Sequence, residues 1–375
     1  MRGSLKQRSQ GRWAIILDVR DPQTGQRKRR WFSFAGSRRE AETERARLIT
    51  ELEKGTAAEP SRLTVAAFLE KWLEYIKPQV APKTVERYTG LIRANIVPAI
   101  GTVRLSKLQP ITISAAYSAA LAHLAPRTVQ HMHRCLSQAL KQAVRWRPLP
   151  RNPCDDCGPP RVERRDMKVW DVETISTALE LSRSWRVHIP VVLAALCGLR
   201  RGEIAALRWR HVDLDRAQLS VIESAEQTKN GVRLKSPKNG KGRTVALPAI
   251  VVSELRAHRL RQAQDLLQLG VRLNDETFIC AREDGEALQP NSIGHAWDRF
   301  LASTKLPRIR FHDLRHSHAT IMLKSNIHPK IVSERLGHSR VALTMDTYSH
   351  VIPGMQEGAA AAIDAAFGTA LDKSR

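Results

Sequence analysis

From Thr64 onward the apolar residues Val65, Phe68, Leu69, Trp72, Leu73 and Ile76 recur at i, i+3, i+4, i+7, i+8 and i+11. That spacing lines one face of a helix, and Thr64 stands where a hydroxyl can cap its first turn. Further helical patterns run over 83–96, about 111–123 and 127–146, punctuated by Pro78, Pro82, Pro98, Pro110 and Pro126. Together they predict a four-helix domain over 63–148. The stretch that follows, RPLPRNPCDDCGPPRVERRD, mixes prolines with charge and predicts a boundary rather than a packed element.

Upstream the period changes. Residues 12–19 (RWAIILDV) and 28–34 (KRRWFSF) are rich in aromatic and branched side chains, and the RDPQTGQ between them has turn chemistry, so a hairpin is predicted. Residues 38–53 read as a charged helix, and GTAAEPS at 55–61 as a linker. Downstream, helices are predicted at 171–183, 187–197 and 201–208. Short strands follow at 218–223, 231–235 and 243–247. Helices then continue from 249 to 350, apart from a strand near Phe278. The fold class predicted is multidomain and mainly α: a small N-terminal β-sheet plus helix module, a four-helix domain, and a mixed α+β, mostly helical domain with a small three-stranded sheet. The tail GAAAAIDAAFGTALDK is a helix pattern with few large apolar residues, one that needs a partner surface.

Charge narrows the partners. The 375 residues hold 61 Lys and Arg against 37 Asp and Glu, a net charge of +24, which implies a polyanion. The first 39 residues alone carry 11 Lys or Arg and two acids, Asp18 and Asp21, as a β-ribbon lying on duplex DNA would. There is no apolar run of about 18 residues and no signal-peptide pattern, so a membrane partner is not expected. Five cysteines, an odd number, argue for a reducing compartment rather than a disulfide framework. Cys154 and Cys157 form a C-x-x-C without the second pair a zinc finger needs.

FHDLRHSHAT at 311–320 sets His312 and His316 four apart, a zinc-compatible spacing on a helix, and sets Arg315 beside His312, which suits a phosphate instead. No G-x-x-x-x-G-K-[ST] loop offers nucleotide-driven work. Exchange of one phosphodiester for another needs none, given an oxygen nucleophile, cations around the non-bridging oxygens, an acid and a base. The remaining motifs supply them: CGLRRGEIAAL at 197–207 with Arg200 and Glu203, KSPKNGKGRTVAL at 235–247 with the form of a hairpin and Lys238 before its turn, and LGHSRVALTMDTYSHV at 336–351 with His338 and Tyr348.

These four stretches, in this order, resemble the tyrosine recombinases, specifically phage and genomic-island integrases. H-x-x-R, then L-G-H, then a tyrosine ten residues past that histidine carry the resemblance over 166–352. Domain order extends it, with an arm-type DNA-binding module of three strands plus a helix at 1–58, a core-binding domain at 63–148, a catalytic domain at 166–352 and a tail at 353–375. The resemblance implies site-specific recombination through a 3′-phosphotyrosyl intermediate. Tyr348 would be the nucleophile, Arg200 and Arg315 the phosphate clamp, Lys238 the general acid, His312 the acceptor of the tyrosine proton, and His338 a hydrogen-bond donor to phosphate. Glu203 would orient its neighbours, while His316 and His318 stay outside the site and are expected to pack or to contact DNA. Arginine suits the clamp because its planar fork stays charged as negative charge builds. Lys235 and Lys241 are the rivals of Lys238. Also implied are double-stranded attachment-site DNA clamped between two domains, a homotetramer on it, a host bending factor and an excisionase, no metal or other cofactor, and a cytoplasmic, nucleoid-bound setting. A type IB topoisomerase-like enzyme and a non-catalytic DNA-binding protein are the alternatives, separable by strand exchange and by covalent adduct formation.

Overall fold

The computed structural model describes residues 3–20, 26–53, 62–163, 167–236, 240, 242–348 and five positions between 360 and 367. The turn at 21–25, the linker at 55–61, Lys238 and most of the tail lie outside the described residues. The chain divides into two compact units, Met1–Arg164 and Arg165–Arg375.

In the first unit, β1 (Gly3–Ser9), β2 (Arg12–Arg20) and β3 (Arg27–Ala35) form an antiparallel meander, with Leu5 opposite Ile15 and Ile15 opposite Phe32. Period-two alternation turns Ile15, Leu17 and Val19 inward against Leu48 of α1 (Arg38–Glu53). The strand β1, GSLKQRS, is too polar to show in the hydrophobic pattern, and a third strand was expected only from the resemblance. On the other side of the sheet Trp31 is exposed, with the Arg8 guanidinium 5.6 Å from its ring centroid.

The helical part holds α2 (Val65–Ile76), α3 (Pro82–Leu91), α4 (Val97–Ile100), α5 (Pro110–Leu121) and α6 (Pro126–Arg145). Thr64 Oγ1 accepts the Ala67 N–H at 3.2 Å, as its capping role requires. The helix expected to stop at 96 continues to Ile100 through a π turn at Ile92–Ile96, because Pro98 cannot donate to the turn before it. The core is Phe68, Leu69, Trp72, Ile92, Val129, Leu136 and Leu140, each large side chain contributing about 1.5–3 kcal/mol by burial. The proline-rich stretch is a correction. Leu149, Cys154 and Cys157 pack into this core, and Asn152 fixes the turn by accepting the Cys154 N–H at 3.1 Å and donating to Asp155 at 2.9 Å. Both thiols are buried, and Cys157 donates to the Pro110 carbonyl at 3.2 Å. Among the described residues no group of three His, Cys, Asp or Glu is placed to hold a metal.

In the second unit, α7 (Val172–Ser182) and the apolar α8 (His188–Cys197, HIPVVLAALC) precede the short α9 (Arg201–Ala206). With hydrophobic residues all round, α8 is buried, packed by α7, α9 and two later helices. Strands β4 (Val212–Asp213), β5 (Gln218–Val221), β6 (Ser224–Thr228), β7 (Gly231–Lys235) and β8 (Arg243–Ala246) form two sheets, β4-β5-β8 and β6-β7. A three-stranded sheet exists, but its third strand is β4. The predicted strand at 231–235 turns back on β6 instead, through Asn230-Gly231. Among the described residues the strands on either side of Lys238 are not paired with each other, since β7 pairs with β6 and β8 with β5; the expected turn itself lies outside the described residues. Near Phe278 there is only an isolated bridge to Arg208. The helices α10 (Ala249–Gln268), α11 (Pro290–Ala302), α12 (Asp313–Lys324), α13 (Pro329–Leu336) and α14 (Val341–Tyr348) complete the unit. Trp209, Trp297, Phe300 and Leu255 anchor the main core, while Ala319, Leu323, Val332, Leu336 and Tyr348 form a smaller one.

Candidate active site

Two helix ends create the site. Helices α8 and α13 both end in glycines with left-handed backbone, Gly198 at φ +70° and Gly337 at φ +64°. Their last carbonyls are left unpaired within the helix and carry its negative end. Arg315, on α12 and only 2% exposed, donates through Nη1 to Gly198 O and through Nη2 to Leu336 O, both at 2.5 Å. A buried guanidinium without a carboxylate beside it is costly. Converging carbonyls offset that cost. Burial and the nearby Arg200 charge lower the Arg315 pKa to about 9, which leaves it charged at neutral pH.

Arg200 precedes α9 in extended conformation. Its backbone N–H and its Nη1 donate to the Glu203 carboxylate at 2.9 and 2.7 Å, and its Nη2 donates to Gly337 O at 3.1 Å. Glu203 is buried and also accepts both terminal nitrogens of Arg243, at 3.0 and 2.7 Å. Burial alone would raise its pKa. The Arg243 hydrogen bonds and the two arginine charges overcome that and hold the carboxyl at about 2. Glu203 thus orients two arginines, as expected for it. Arg200 keeps about a third of its side chain open to solvent.

The histidines divide by environment. Burial, with Arg315 and Arg200 nearby, lowers the His338 pKa to about 4, and its Nδ1 lies 2.9 Å from Thr344 Oγ1. His312 stands at the N-cap position of α12 without a side-chain capping bond; burial, then His316 and Arg315, depress its pKa. His318 packs, one of the two roles expected for it outside the site. Its Nδ1 is 2.9 Å from Ala195 O and its Nε2 accepts from Arg335 Nε at 3.1 Å, so it braces α8 against α13.

Tyr348 is 1% exposed at the end of α14, and its pKa is raised to about 12 by burial against the opposing pull of Arg315 and Arg200. Its hydrogen-bond partner is His316 Nδ1, at 2.6 Å, and not His312. His316 is the residue that reading the motif left out. Its spacing of four from His312 was visible, but only the packing of α14 shows which imidazole meets the phenol. Arg243 and Arg335 were missed as well, since a sequence this rich in arginine gives no reason to single them out. Of the hairpin lysines, Lys235 is engaged by Glu226 in an ion pair, while Lys238 and Lys241 lie outside the described residues. The structure thus brings Arg200, Arg315, His312, His338 and Tyr348 together. It leaves Lys238 unassigned.

A mainly helical unit that gathers two arginines, three histidines and a tyrosine around one point defines a tyrosine-type DNA strand transferase, which cleaves and rejoins DNA. Residues 165–354 match the phage integrase family, and residues 64–120 match the N-terminal SAM-like domain of phage integrases. The chain belongs to the phage integrase family. A tyrosine recombinase XerC-like protein of Caldanaerobacter subterraneus subsp. tengcongensis is 25% identical over 92% of this chain and 94% of its own length. Among solved structures, the Tn1549 transposon integrase in complex with a circular intermediate DNA superposes with a TM-score of 0.66 at 17% identity, over 76% of this chain and 95% of that one. A lambda integrase tetramer bound to a Holliday junction superposes with a TM-score of 0.57 at 19% identity, over 90% and 95%.

Proposed function

We propose that this integrase acts through Tyr348, whose phenol attacks a scissile phosphate in attachment-site DNA to leave a 3′-phosphotyrosyl bond and a free 5′-hydroxyl. The observation that carries this reading is the buried tyrosine held within the field of Arg315 and Arg200. In this reading Arg200 and Arg315 bind the non-bridging oxygens, each fixed by carbonyls and Arg200 also by Glu203, so little reorganisation is needed as charge develops. His338 donates to the same oxygens and His312 lines the phosphate. Lys238 protonates the leaving 5′-oxygen; the pairing of Lys235 with Glu226 supports it over its neighbour.

The exposed Lys6, Arg8, Arg29 and Trp31 on the N-terminal sheet fit contact with duplex DNA outside the cleavage site. Four protomers act on two duplexes, a reading supported by the similarity to a lambda integrase tetramer bound to a Holliday junction. A host bending factor and an excisionase bias direction, and the work takes place at the bacterial nucleoid. Ile363 and Phe367, exposed on the helical part of the tail, suit docking on a neighbouring protomer. Removing residues 354–375 is expected to weaken synapsis, and an unchanged recombination rate refutes that role.

The primary test is a nicked attachment site. Wild type traps a protease-sensitive protein–DNA adduct and Tyr348→Phe forms none while still binding DNA; equal adduct from both refutes the assignment. Two marked duplexes then separate strand exchange from relaxation.

A further inference from the structure

We propose that His316 accepts the Tyr348 phenol proton during cleavage and returns it on rejoining. This rests on Tyr348 being the nucleophile. The phenol is sealed from solvent, so its proton has to leave through a protein group, and His316 Nδ1 at 2.6 Å is the acceptor in contact with it. Among the described residues no hydrogen bond joins His312 to the phenol. The His312 ring instead meets His316 edge-on, with centroids 4.9 Å apart and planes at 84°.

The charges around His316 suit a base that cycles. On its own helix Asp313 favours the imidazolium, while Arg315, and Arg310 from the preceding loop, oppose it; His312 lies alongside and Tyr348 faces it from α14. Burial comes first among these influences and keeps the ring neutral at rest, ready to receive a proton. Asp313, itself fixed by Arg310 at 2.7 Å, is there to stabilise the cation once formed. As Tyr348 Oη bonds to phosphorus, its proton passes to His316 Nδ1, the P–O5′ bond breaks, and the 5′-oxygen takes a proton from Lys238. On rejoining, the 5′-hydroxyl returns its proton to Lys238 as its oxygen bonds to phosphorus, the Oη–P bond breaks and His316 reprotonates the phenolate.

The test is single-turnover cleavage on ordinary DNA and on DNA with a 5′-bridging sulfur, whose leaving group needs no acid. His316→Asn keeps an acceptor near Nδ1 but takes up no proton. It is expected to slow cleavage by about 10²-fold or more on both substrates, and to lose the acid limb of the wild-type pH profile. Lys238→Ala is slow only on ordinary DNA. Melting temperature and DNA affinity confirm folding, and His316→Gln, with the same expectation, replaces an Asn variant that does not fold. A wild-type rate in His316→Asn, a defect confined to ordinary DNA, or a sulfur-substrate loss seen in His312→Asn but not His316→Asn overturns the proposal. Absence of any Tyr348 adduct in wild type is a different result, and sinks the assignment of Tyr348 instead.

Discussion

Replacing Glu203 with Gln removes the one negative charge that Arg200 and Arg243 share in a nearly dry site. The carboxyl is held at about 2 against an ordinary 4.5. That difference corresponds to about 3 kcal/mol of stability at neutral pH. Removing one partner from a buried ion pair costs about 3–5 kcal/mol by mutation, so both routes predict a loss near 3 kcal/mol. Because the folded-state pKa is depressed, this stability is complete above pH 4.5 and disappears as pH falls toward 2. The gap between wild type and Glu203→Gln should therefore be widest at pH 7 and narrow below pH 4.5. Native-state hydrogen exchange of peptides from α9 and β8 measures it locally, without requiring both units to unfold together. A gap under about 1 kcal/mol at pH 7, or one equally wide at pH 3, would refute the claim that Glu203 is the charged keystone of the two arginines.

Other perturbations follow from the same geometry. In Gly337→Ala, a Cβ would lie 2.9 Å from Arg243 Nη1 on a backbone at φ +64°; left-handed strain alone costs about 1–2 kcal/mol, so thermal stability and adduct formation should fall together. Burial first, then the Arg335 charge, lowers the His318 pKa from 6.5 to about 4. The unfolded chain therefore binds that proton more readily, and about 3 kcal/mol is lost as pH falls from 6.5 to 4. His318→Gln should flatten this part of the stability profile, and an unchanged slope would count against it. Thr64→Ala removes the α2 cap and should destabilise the helical part by about 1 kcal/mol in denaturant melts.

Some of this was legible in the sequence because it is written in local period. Thr64 with its apolar stripe, the helix at 38–53 and the mostly apolar α8 sit within a residue or two of their predicted ends. What failed depended on partners distant in sequence. Strand 231–235 was visible, but its partner β6 (SAEQT) is polar and half-buried, so the wrong pairing was inferred. Leu149, Cys154 and Cys157 looked like linker because proline and charge outweighed three apolar residues, whose burial depends on α5 and α6. Motif spacing singles out Arg200, Arg315, His338 and Tyr348, which the structure places near one another. It does not show which imidazole, His312 or His316 one turn on, lies against the phenol, because that contact is set by where α14 places Tyr348.

The glycines of the two motifs, CGLRRGE and LGH, explain why such distant stretches work as one site. Neither glycine has a side chain to offer. Each ends a helix so that its last carbonyls face inward, and Arg315 bridges the two ends through Gly198 O and Leu336 O. A Cβ on Gly198 would strike His318 Cδ2 at 2.7 Å and Leu336 at 2.8 Å, so the same residue that frees the carbonyl also lets α8 approach α12 and α13. Arg200 reaches Gly337 O, which ties the first motif to the last. Arg315 is thus set by backbone carbonyls fixed by the helices, and Arg200 by one such carbonyl together with the buried Glu203 carboxylate. That is the rigidity a charge-stabilising site needs, and it follows that substitutions at Gly198 or Gly337 should damage phosphate binding although neither residue carries a charge.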